Sequence, residues 1–522
     1  MRLANNRISR RNKILLLSFL RHDLKASVTV FFVALPLCLG ISLASEAPLL
    51  SGIISGIIGG VIVSLISKSP LSVSGPAAGL TAICAAAIQS LGTLEAFYAS
   101  VVLAGIFQLL IGRFKLAGFT HLIPASVIKG MLTAIGLILI SKQIPFIIGY
   151  DKPDFWRNEL FNIITFDHAF ENIDNLYHNL SAGPVLIASG SMIVLVIWKR
   201  WISKSISFIP TAFISVAAGT LIAYIFEKTG FHPLQEGQYV NLPSLSTAKL
   251  HFPQFDTTIF SASIWKYAIL IAFVASLETL LSIEAIDKID RQNRITPQNR
   301  EMIAQGTGNI ISGILGGLPI TAVIVRSSAN AEAGAKTRLS GIAHGIWLLL
   351  AVVAAASLVN KIPYCVLAVI LIRTGYNLAK PSMLRSVYEQ GKEQFRPFLV
   401  TVTAILLTDL LIGVLIGIAF SLYYLLHHTY RAGFTYKVSE QNHTMYHKME
   451  LAMNVSFLNK RKIRETLDKI PPYSILEIDG RDSVYIDHDI LEIFQEFRSK
   501  ARQRHIQLEL LNIPEVTIIE LH

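Results

Sequence analysis

The sequence predicts an all-α polytopic membrane protein with a small α/β domain at its C-terminal end. Of its 522 residues, 52% are hydrophobic and only 16% are charged, whereas soluble globular proteins carry roughly 25% charged residues. Apolar windows of about 20 residues, long enough to cross a hydrocarbon core of about 30 Å, recur between Ala26 and His427. After Tyr430 charged residues become frequent. These three observations exclude a large soluble enzyme.

The net charge of +11 comes from basic residues that lie between the apolar segments rather than on one nucleic-acid-binding face. They fall in alternate loops, whereas the opposite loops, 150–180 and 227–262, carry mostly acids. Because basic loops stay on the cytoplasmic side, both termini are expected to be cytoplasmic in a multi-pass protein of the cell's inner membrane. Residues 1–25 are predicted to be a cytoplasmic tail, since the apolar run Ile14 to Leu17 is too short for a signal-peptide core.

Residues 26–430 form the predicted transmembrane domain, with about fourteen apolar segments. An even number of segments places both ends of this domain on one side of the membrane. The segments cover residues 26–43, 49–66, 74–90, 96–112, 122–141, 183–198, 208–226, 264–286, 302–318, 321–334, 340–358, 363–378, 397–409 and 411–428.

The third and the tenth segments are interrupted by glycine and proline near their starts. Gly75 and Pro76 stand at the entry to the third, and Gly317 and Pro319 precede the tenth. Each is therefore third in its group of seven. Interrupted segments at matching places predict an inverted repeat of seven plus seven segments, with a binding site near the midplane.

Two interrupted helices can form an anion site without a fixed positive side chain. The first N–H groups of a helix have no partner within it, and the helix dipole places partial positive charge there. Gly75 and Pro76 are expected to open one half-helix, and Pro319 and Thr321 the other. The alternative is that these residues only kink two ordinary transmembrane helices.

Two ionisable residues lie inside apolar segments. Arg326, in the tenth, costs about 3 kcal/mol or more there and normally faces a partner or a water-filled cavity. It favours attraction for an anion, although a structural ion pair is the alternative. Glu278, in the eighth, is a candidate coupling group: a proton would give proton symport, and Ser282 one turn on could help to bind Na⁺. The alternative is a structural pair between Glu278 and Arg326.

Enzymatic motifs and a metal site are not predicted. The sequence has no phosphate-binding P-loop, no Cys-x-x-Cys pair and no His-Glu-x-x-His motif, so transport would be secondary or passive, with no cofactor beyond a coupling ion, H⁺ or Na⁺. Cys38, Cys84 and Cys365 lie within apolar stretches and are expected to be buried core residues.

Residues 431–522 predict a small cytoplasmic α/β domain. Residues 445–457, 474–479 and 506–511 have the composition of strands, and residues 459–469 that of a helix. Residues 487–502 place Ile490, Ile493, Phe494 and Phe497 at the spacing of an amphipathic helix.

In its motifs and their order, the chain resembles the SulP family of anion transporters, whose animal members include pendrin and prestin. The resemblance is carried by Phe32-Val33-Ala34-Leu35-Pro36-Leu37, Val73-Ser74-Gly75-Pro76, Ser276-Leu277-Glu278-Thr279-Leu280-Leu281, Gly316-Gly317-Leu318-Pro319, Arg326-Ser327 and the stretch 333–341.

This resemblance implies a fold like that of uracil permease, with core and gate subdomains and an elevator-like motion. It implies that the third and tenth half-helices and the first segment line the anion site, and that the acid of the eighth segment is Glu278. Relatives that couple to Na⁺ tend to have Asp at that position, which favours protons here. The implied substrate-site residues are Gly75, Pro76, Ala77, Thr321, Ala322 and Arg326, with Leu37 and Ile41 closing the site.

The C-terminal domain resembles the STAS domain of the same family through Ile475–Asp479 and Val484–Asp487. Such domains imply a homodimer and a possible cytoplasmic partner. The expected function is proton-coupled secondary transport of a small inorganic oxyanion across the bilayer, sulfate first. The alternatives are Na⁺-coupled bicarbonate transport and a passive anion channel or exchanger. A third alternative is a scaffold that recruits partners through the C-terminal domain.

Overall fold

The computed structural model describes residues 2–118, 123–149, 181–202, 209–243, 252–253, 261–408, 410–431, 433–441 and 444–515. Within these ranges each of the fourteen predicted segments contains a helix, so the predicted all-α membrane part is confirmed. The acidic loop at 150–180 lies outside the described residues.

The first seven segments open with an unusually long helix. Helix α1 begins at Arg2, so the backbone of the predicted tail continues the first apolar segment as one helix. The elements of this half are α1 (Arg2–Ala44), α2 (Leu49–Ile66), β1 (Ser74–Pro76), α3 (Ala78–Leu91), α4 (Leu94–Arg113), α5 (Ala125–Ile148), α6 (Ala182–Ile202) and α7 (Thr211–Thr229).

The second half repeats the interrupted third element. The helix of the ninth predicted segment ends at Ile314, before the predicted residue 318. It ends there because Gly316 adopts a left-handed φ of 75° and turns the chain. The elements are α8 (Ala262–Asp287), α9 (Gln298–Ile314), β2 (Ile320–Ala322), α10 (Ile324–Glu332), α11 (Leu339–Ala354), α12 (Tyr364–Leu378), α13 (Pro381–Glu389), α14 (Lys392–Leu407) and α15 (Leu410–Arg431).

Seven helices in the described part of the chain are long and apolar enough to cross a membrane: α1, α2, α4, α5, α6, α7 and α8. Shorter apolar helices include α3 and α11. Helix α10 has only nine residues, which rise about 14 Å, or roughly half of a hydrocarbon core. Helix α3 is also shorter than the helices that can cross the membrane, so the third and tenth segments are half-helices.

Helices α4 and α9 pack with their backbones in close approach. A Cβ atom on Gly105 would lie 2.6 Å from the backbone nitrogen of Ile310, and one on Gly306 would lie 2.6 Å from that of Leu109. Only glycine fits at such contacts, which are typical of helix packing in membranes. The close approach brings Asn309 of α9 and Gln108 of α4 within hydrogen-bonding distance.

The chain divides into two compact units, one with residues 1–386 and 402–413 and the other with residues 387–401 and 414–522. The predicted domain boundaries, at residues 25 and 430, stay predictions.

The C-terminal part has the α/β fold that the sequence predicts. Its main sheet has the order β3-β4-β6-β8, with β3 antiparallel to β4 and the other pairs parallel. Met449, Ile478 and Phe494 are among the residues of its buried core. The elements are β3 (Phe434–Gln441), β4 (Thr444–Leu451), β5 (Asn454–Val455), α16 (Lys460–Asp468), β6 (Ile475–Asp479), β7 (Tyr485–Ile486), α17 (His488–Gln503) and β8 (Gln507–Leu511).

Strand β3 is an element that the sequence interpretation missed. Phe434, Tyr436 and Val438 alternate with Thr435 and Lys437, which is the period-2 pattern of a half-buried strand. Its pairing with β4, Phe434 opposite Leu451, completes the sheet.

Candidate functional site

The two interrupted segments meet as a short antiparallel pair of strands. Ser74 lies opposite Ala322, Gly75 opposite Thr321, and Pro76 opposite Ile320. One residue after each strand a half-helix begins, α3 after β1 and α10 after β2. One two-stranded element therefore carries two helix N-termini, each with unpaired N–H groups and the positive end of a helix dipole.

The predicted helix starts are wrong by two to five residues. Gly75, Pro76 and Thr321 lie in the strands, and Pro319 precedes β2, so none of them opens a half-helix. The residues that enter the helices, Ala77 and Val323, are themselves extended, with φ near −110°. The pairing between the strands explains the difference, because it holds these backbones extended before either helix can begin.

Asn309 of α9 holds strand β2 through hydrogen bonds from its side chain to the backbone N–H and C=O of Ile320. Its side-chain oxygen accepts a hydrogen bond from the N–H of Ile320 at 2.5 Å, and its amide nitrogen donates to the carbonyl oxygen of Ile320 at 3.0 Å. The same nitrogen donates to Oε1 of Gln108 at 2.6 Å. Since Asn309 and Ile320 are fully buried, these bonds fix the strand with no help from bulk water.

Further polar side chains of α9 support strand β1. The amide of Gln305 donates to the hydroxyl of Ser74 at 2.7 Å and to Oε1 of Glu301 at 2.9 Å. The second carboxyl oxygen of Glu301 accepts a hydrogen bond from Ser67. Helix α9 thus contacts both strands through buried hydrogen bonds, from Gln305 to β1 and from Asn309 to β2.

Arg326, near the start of α10, is fully buried. Its Nη2 donates to Sγ of Cys38 at 3.4 Å and, in a longer contact for an oxygen acceptor, to the carbonyl oxygen of Pro76 at 3.5 Å. Both acceptors are uncharged. Within the described residues, its Nε and Nη1 have no hydrogen-bond partner. A buried guanidinium normally has its donors satisfied, so two free donors here are the chemistry of a site that receives an acceptor.

The other residues that the family resemblance assigns to the site lie close along the same elements. Ala77, Thr321 and Ala322 are buried, on and beside the paired strands. Leu37 and Ile41 are buried on α1, on either side of Cys38. The structure therefore brings Gly75, Pro76 and Arg326 into contact with one another and with α1. The roles of these residues in binding stay predictions.

Glu278 lies beside the start of the other half-helix. Its carboxyl group lies against the backbone of Gly79, where an added Cβ would lie 2.6 Å from Oε2. The side chain is partly exposed, yet Oε2 is buried and has no hydrogen-bond partner among the described residues. No ion pair joins Glu278 to Arg326 in this part of the chain, so the structural-pair alternative does not hold in this structure.

The neighbours of Glu278 connect α8 to the paired strands. The hydroxyl of Thr279 accepts a hydrogen bond from the N–H of Ala322 at 3.2 Å. Ser282 is buried one turn after Glu278 on the same helix. The helix that carries the candidate coupling group is therefore hydrogen-bonded to the strand that leads to Arg326.

Sequence interpretation missed the polar residues that hold this framework. Glu301, Gln305, Asn309 and Ser312 recur every three to four residues of α9 and are fully buried. That spacing places them on one face of the helix, and a search for polar stripes inside apolar segments would have found them. The expectation that Cys38 is buried is confirmed, but its contact with Arg326 was not foreseen, because no local signal joins residues so far apart in the chain.

The sequence is similar to those of known anion transporters. The chain is 27% identical over 411 residues to "Bicarbonate transporter BicA" of Picosynechococcus, which covers 76% of this chain and 69% of that protein. It is 25% identical over 403 residues to "Putative sulfate transporter YvdB" of Bacillus subtilis, with 76% and 72% covered.

Among solved structures, the chain is similar to the murine Solute Carrier 26 family member A9 anion transporter in the inward-facing state. The TM-score is 0.73 at 17% identity, over 95% of this chain and 86% of that chain. At this identity the likeness shows the fold alone, and it extends over both the membrane part and the C-terminal part.

A family model settles the assignment. The model of the sulfate permease family matches residues 20–401, which include both half-helices, Glu278 and Arg326. The relatives named above are membrane transporters rather than enzymes. The chain belongs to the sulfate permease family of multi-pass membrane anion transporters.

Proposed function

We propose that this chain is a secondary active sulfate transporter coupled to protons, acting in the cell's inner membrane as a homodimer with both termini cytoplasmic. The observation that carries the proposal is the buried, half-satisfied guanidinium of Arg326 beside two half-helix N-termini. Sulfate is a compact oxyanion whose oxygens accept hydrogen bonds in all directions. The site offers several donors and no fixed acceptor charge in contact with Arg326.

The charge of the site supports a divalent anion. A desolvated guanidinium without a counter-ion is costly in a low-dielectric interior, and each half-helix N-terminus contributes a further partial positive charge. An anion of charge −2 offsets these contributions together.

Glu278 supports coupling to a proton. A carboxylate with a buried oxygen and no cationic partner is also costly in its charged form. A bound proton removes that cost, and the partly exposed side chain leaves the group accessible to one. The proton would then be bound next to the anion framework, because Thr279 joins this helix to β2.

A second candidate function is Na⁺-coupled bicarbonate transport. It is favoured by the likeness to a protein described as a bicarbonate transporter. Ser282, one turn from Glu278, adds a hydroxyl oxygen of the kind that Na⁺ accepts as a ligand. A passive channel or exchanger needs no titratable group of this kind, so Glu278 weighs against it.

The test is radiolabelled sulfate uptake into proteoliposomes, with and without an inward proton gradient. We compare the wild type, Glu278→Gln and a control, Glu284→Gln. Glu284 lies on the same helix, but it is exposed and its salt bridge with Lys288 lies at the surface. The proton gradient is expected to stimulate uptake by the wild type and the control, and to have no effect on Glu278→Gln.

Uptake that ignores the gradient in the wild type, or gradient-driven uptake that survives in Glu278→Gln, would contradict proton coupling through Glu278. Folded protein that takes up no sulfate but takes up bicarbonate under a sodium gradient would favour the second candidate function.

A further inference from the structure

Cys38 lies at the candidate anion site, although neither the sequence nor the family resemblance gives it a role. It is fully buried, and its Sγ accepts the hydrogen bond from Nη2 of Arg326 at 3.4 Å. The other acceptor of Nη2 is the carbonyl oxygen of Pro76. One guanidinium nitrogen is therefore held between α1 and β1, while Nε and Nη1 are free of partners among the described residues.

The thiol has little room toward helix α2. A Cβ on Gly56 of α2 would lie 2.7 Å from Sγ of Cys38, a distance at which one of the two must move. A group attached to Sγ could not extend toward α2 without displacing that helix. Nη2 of Arg326, at 3.4 Å from Sγ, is the other neighbour that such a group would have to displace.

We propose that Cys38 is a positioning residue for Arg326 and forms one wall of the anion site. Its thiol holds Nη2, and this fixes the plane of the guanidinium so that Nε and Nη1 face the anion. A group attached to the thiol therefore displaces Arg326 and blocks anion binding. The inference rests on the proposed anion-transport function. It adds Cys38 to the site as a residue whose thiol can be modified by thiol reagents.

The first test uses methyl methanethiosulfonate, a small neutral reagent that enters apolar regions. The thiolate of the cysteine attacks its sulfenyl sulfur, a disulfide to the methylthio group forms, methanesulfinate leaves, and the thiol proton passes to solvent. The full-length protein is used as Cys84→Ala/Cys365→Ala, which retains Cys38, and as Cys38→Ala, which retains the other two cysteines. All three cysteines are buried and free.

Labelling of each cysteine is followed by peptide mass spectrometry alongside sulfate uptake into proteoliposomes. The chain that retains Cys38 is expected to lose most of its uptake in proportion to labelling, and saturating sulfate is expected to slow that labelling. Gluconate, an organic anion much larger than sulfate, serves as the control anion. Uptake by Cys38→Ala is expected to resist the reagent.

Three results would overturn the proposal: labelled Cys38 with unchanged uptake, labelling that no anion slows, or a Cys38 that stays unlabelled in active protein. If bicarbonate slows the labelling and sulfate does not, the proposed substrate fails while the role of Cys38 stands. The two failures are thus distinguishable.

The second test separates positioning from mere packing. Cys38→Ala removes one acceptor of Nη2, and is expected to raise KM for sulfate roughly three- to tenfold, as the loss of one ordinary hydrogen bond predicts when the acceptor is a weak one such as sulfur. Cys38→Ser keeps an acceptor at this position and is expected to restore KM toward the wild-type value. Equal KM values in all three proteins, or a fall of kcat alone in Cys38→Ala, would contradict the positioning role.

Discussion

At the scale of single residues, the site depends on a charge that the protein does not neutralise. Arg326 is the largest fully buried side chain in the described part of the chain, and its hydrogen bonds go to a thiol and a carbonyl oxygen at 3.4 and 3.5 Å. Neither acceptor carries a charge. A guanidinium kept in this state costs stability, which is the expected condition of a residue whose counter-ion is a ligand.

This condition predicts that Arg326→Met stabilises the empty protein. Methionine fills a similar volume with no charge to desolvate, so the free energy of unfolding in anion-free buffer is expected to rise by roughly 1–4 kcal/mol. The measurement is the thermal unfolding midpoint of the purified, detergent-solubilised protein. At the same concentration, sulfate is expected to raise the midpoint of the wild type clearly and that of the variant much less, because the variant binds it more weakly.

Arg294→Met is the matched control, and its thermal unfolding midpoint is expected to change in the opposite direction. Arg294 makes a bidentate salt bridge to Asp290, with Nε at 2.7 Å and Nη2 at 3.2 Å from the two carboxyl oxygens. Burial alone would raise the pKa of Asp290, but the hydrogen bonds from Arg294 hold it below its usual value. Removing Arg294 leaves a buried charge unpaired, so the midpoint should fall. A fall of similar size for Arg326→Met would show that Arg326 is a structural residue.

At the scale of elements, the site is a two-stranded pair held in place by helix α9. The strands have three residues each, and pair across more than 240 residues of sequence. Strands so short are not stable alone. Their position therefore depends on side chains outside the pair, above all Asn309, which bonds both backbone groups of Ile320.

Asn309→Ala is expected to destabilise the protein by about 2–4 kcal/mol, because it leaves several buried polar groups of Ile320 and Gln108 unpaired. Sulfate uptake should fall with it, since β2 leads into the half-helix that carries Arg326. Thermal unfolding and uptake measured on the same preparations check both effects.

Thr307→Ala, on the same helix, is the control. Its hydroxyl bonds only the carbonyl oxygen of Ile303, within its own helix, so both quantities should stay near the wild-type values. An Asn309→Ala protein as stable and as active as Thr307→Ala would contradict the role given to α9.

The elements also show which local features the sequence predicts. Apolar length located a helix at each of the fourteen segments, and glycine with proline located both interruptions. Neither signal predicts strands β1 and β2. These strands form because two distant segments pair with each other, and the β-propensity of three residues is too weak a signal to reveal them. Strand β3 differs, since the alternation from Phe434 to Val438 is a local signal and could have been used.

At the scale of the whole molecule, the two halves of the membrane part have matching elements but different charged side chains on them. Both supply a short strand and a half-helix, but only the half-helix of the second half carries charged side chains, Arg326 near its start and Glu332 at its end. Glu278 comes from the first helix of the second half and reaches the start of the first half-helix at Gly79. Hydropathy predicts the matching positions. It does not predict which residues meet across the halves, because those contacts depend on how the helices pack.

The central claim is that Arg326 and the paired half-helices form the anion site. The most direct measurement is equilibrium binding of radiolabelled sulfate to the purified protein, wild type against Arg326→Met, with folding checked by thermal unfolding. We predict saturable binding to the wild type and an affinity weakened by roughly ten- to a hundredfold in the variant, as the loss of charged hydrogen bonds implies. Folded Arg326→Met that binds sulfate with wild-type affinity would contradict the account.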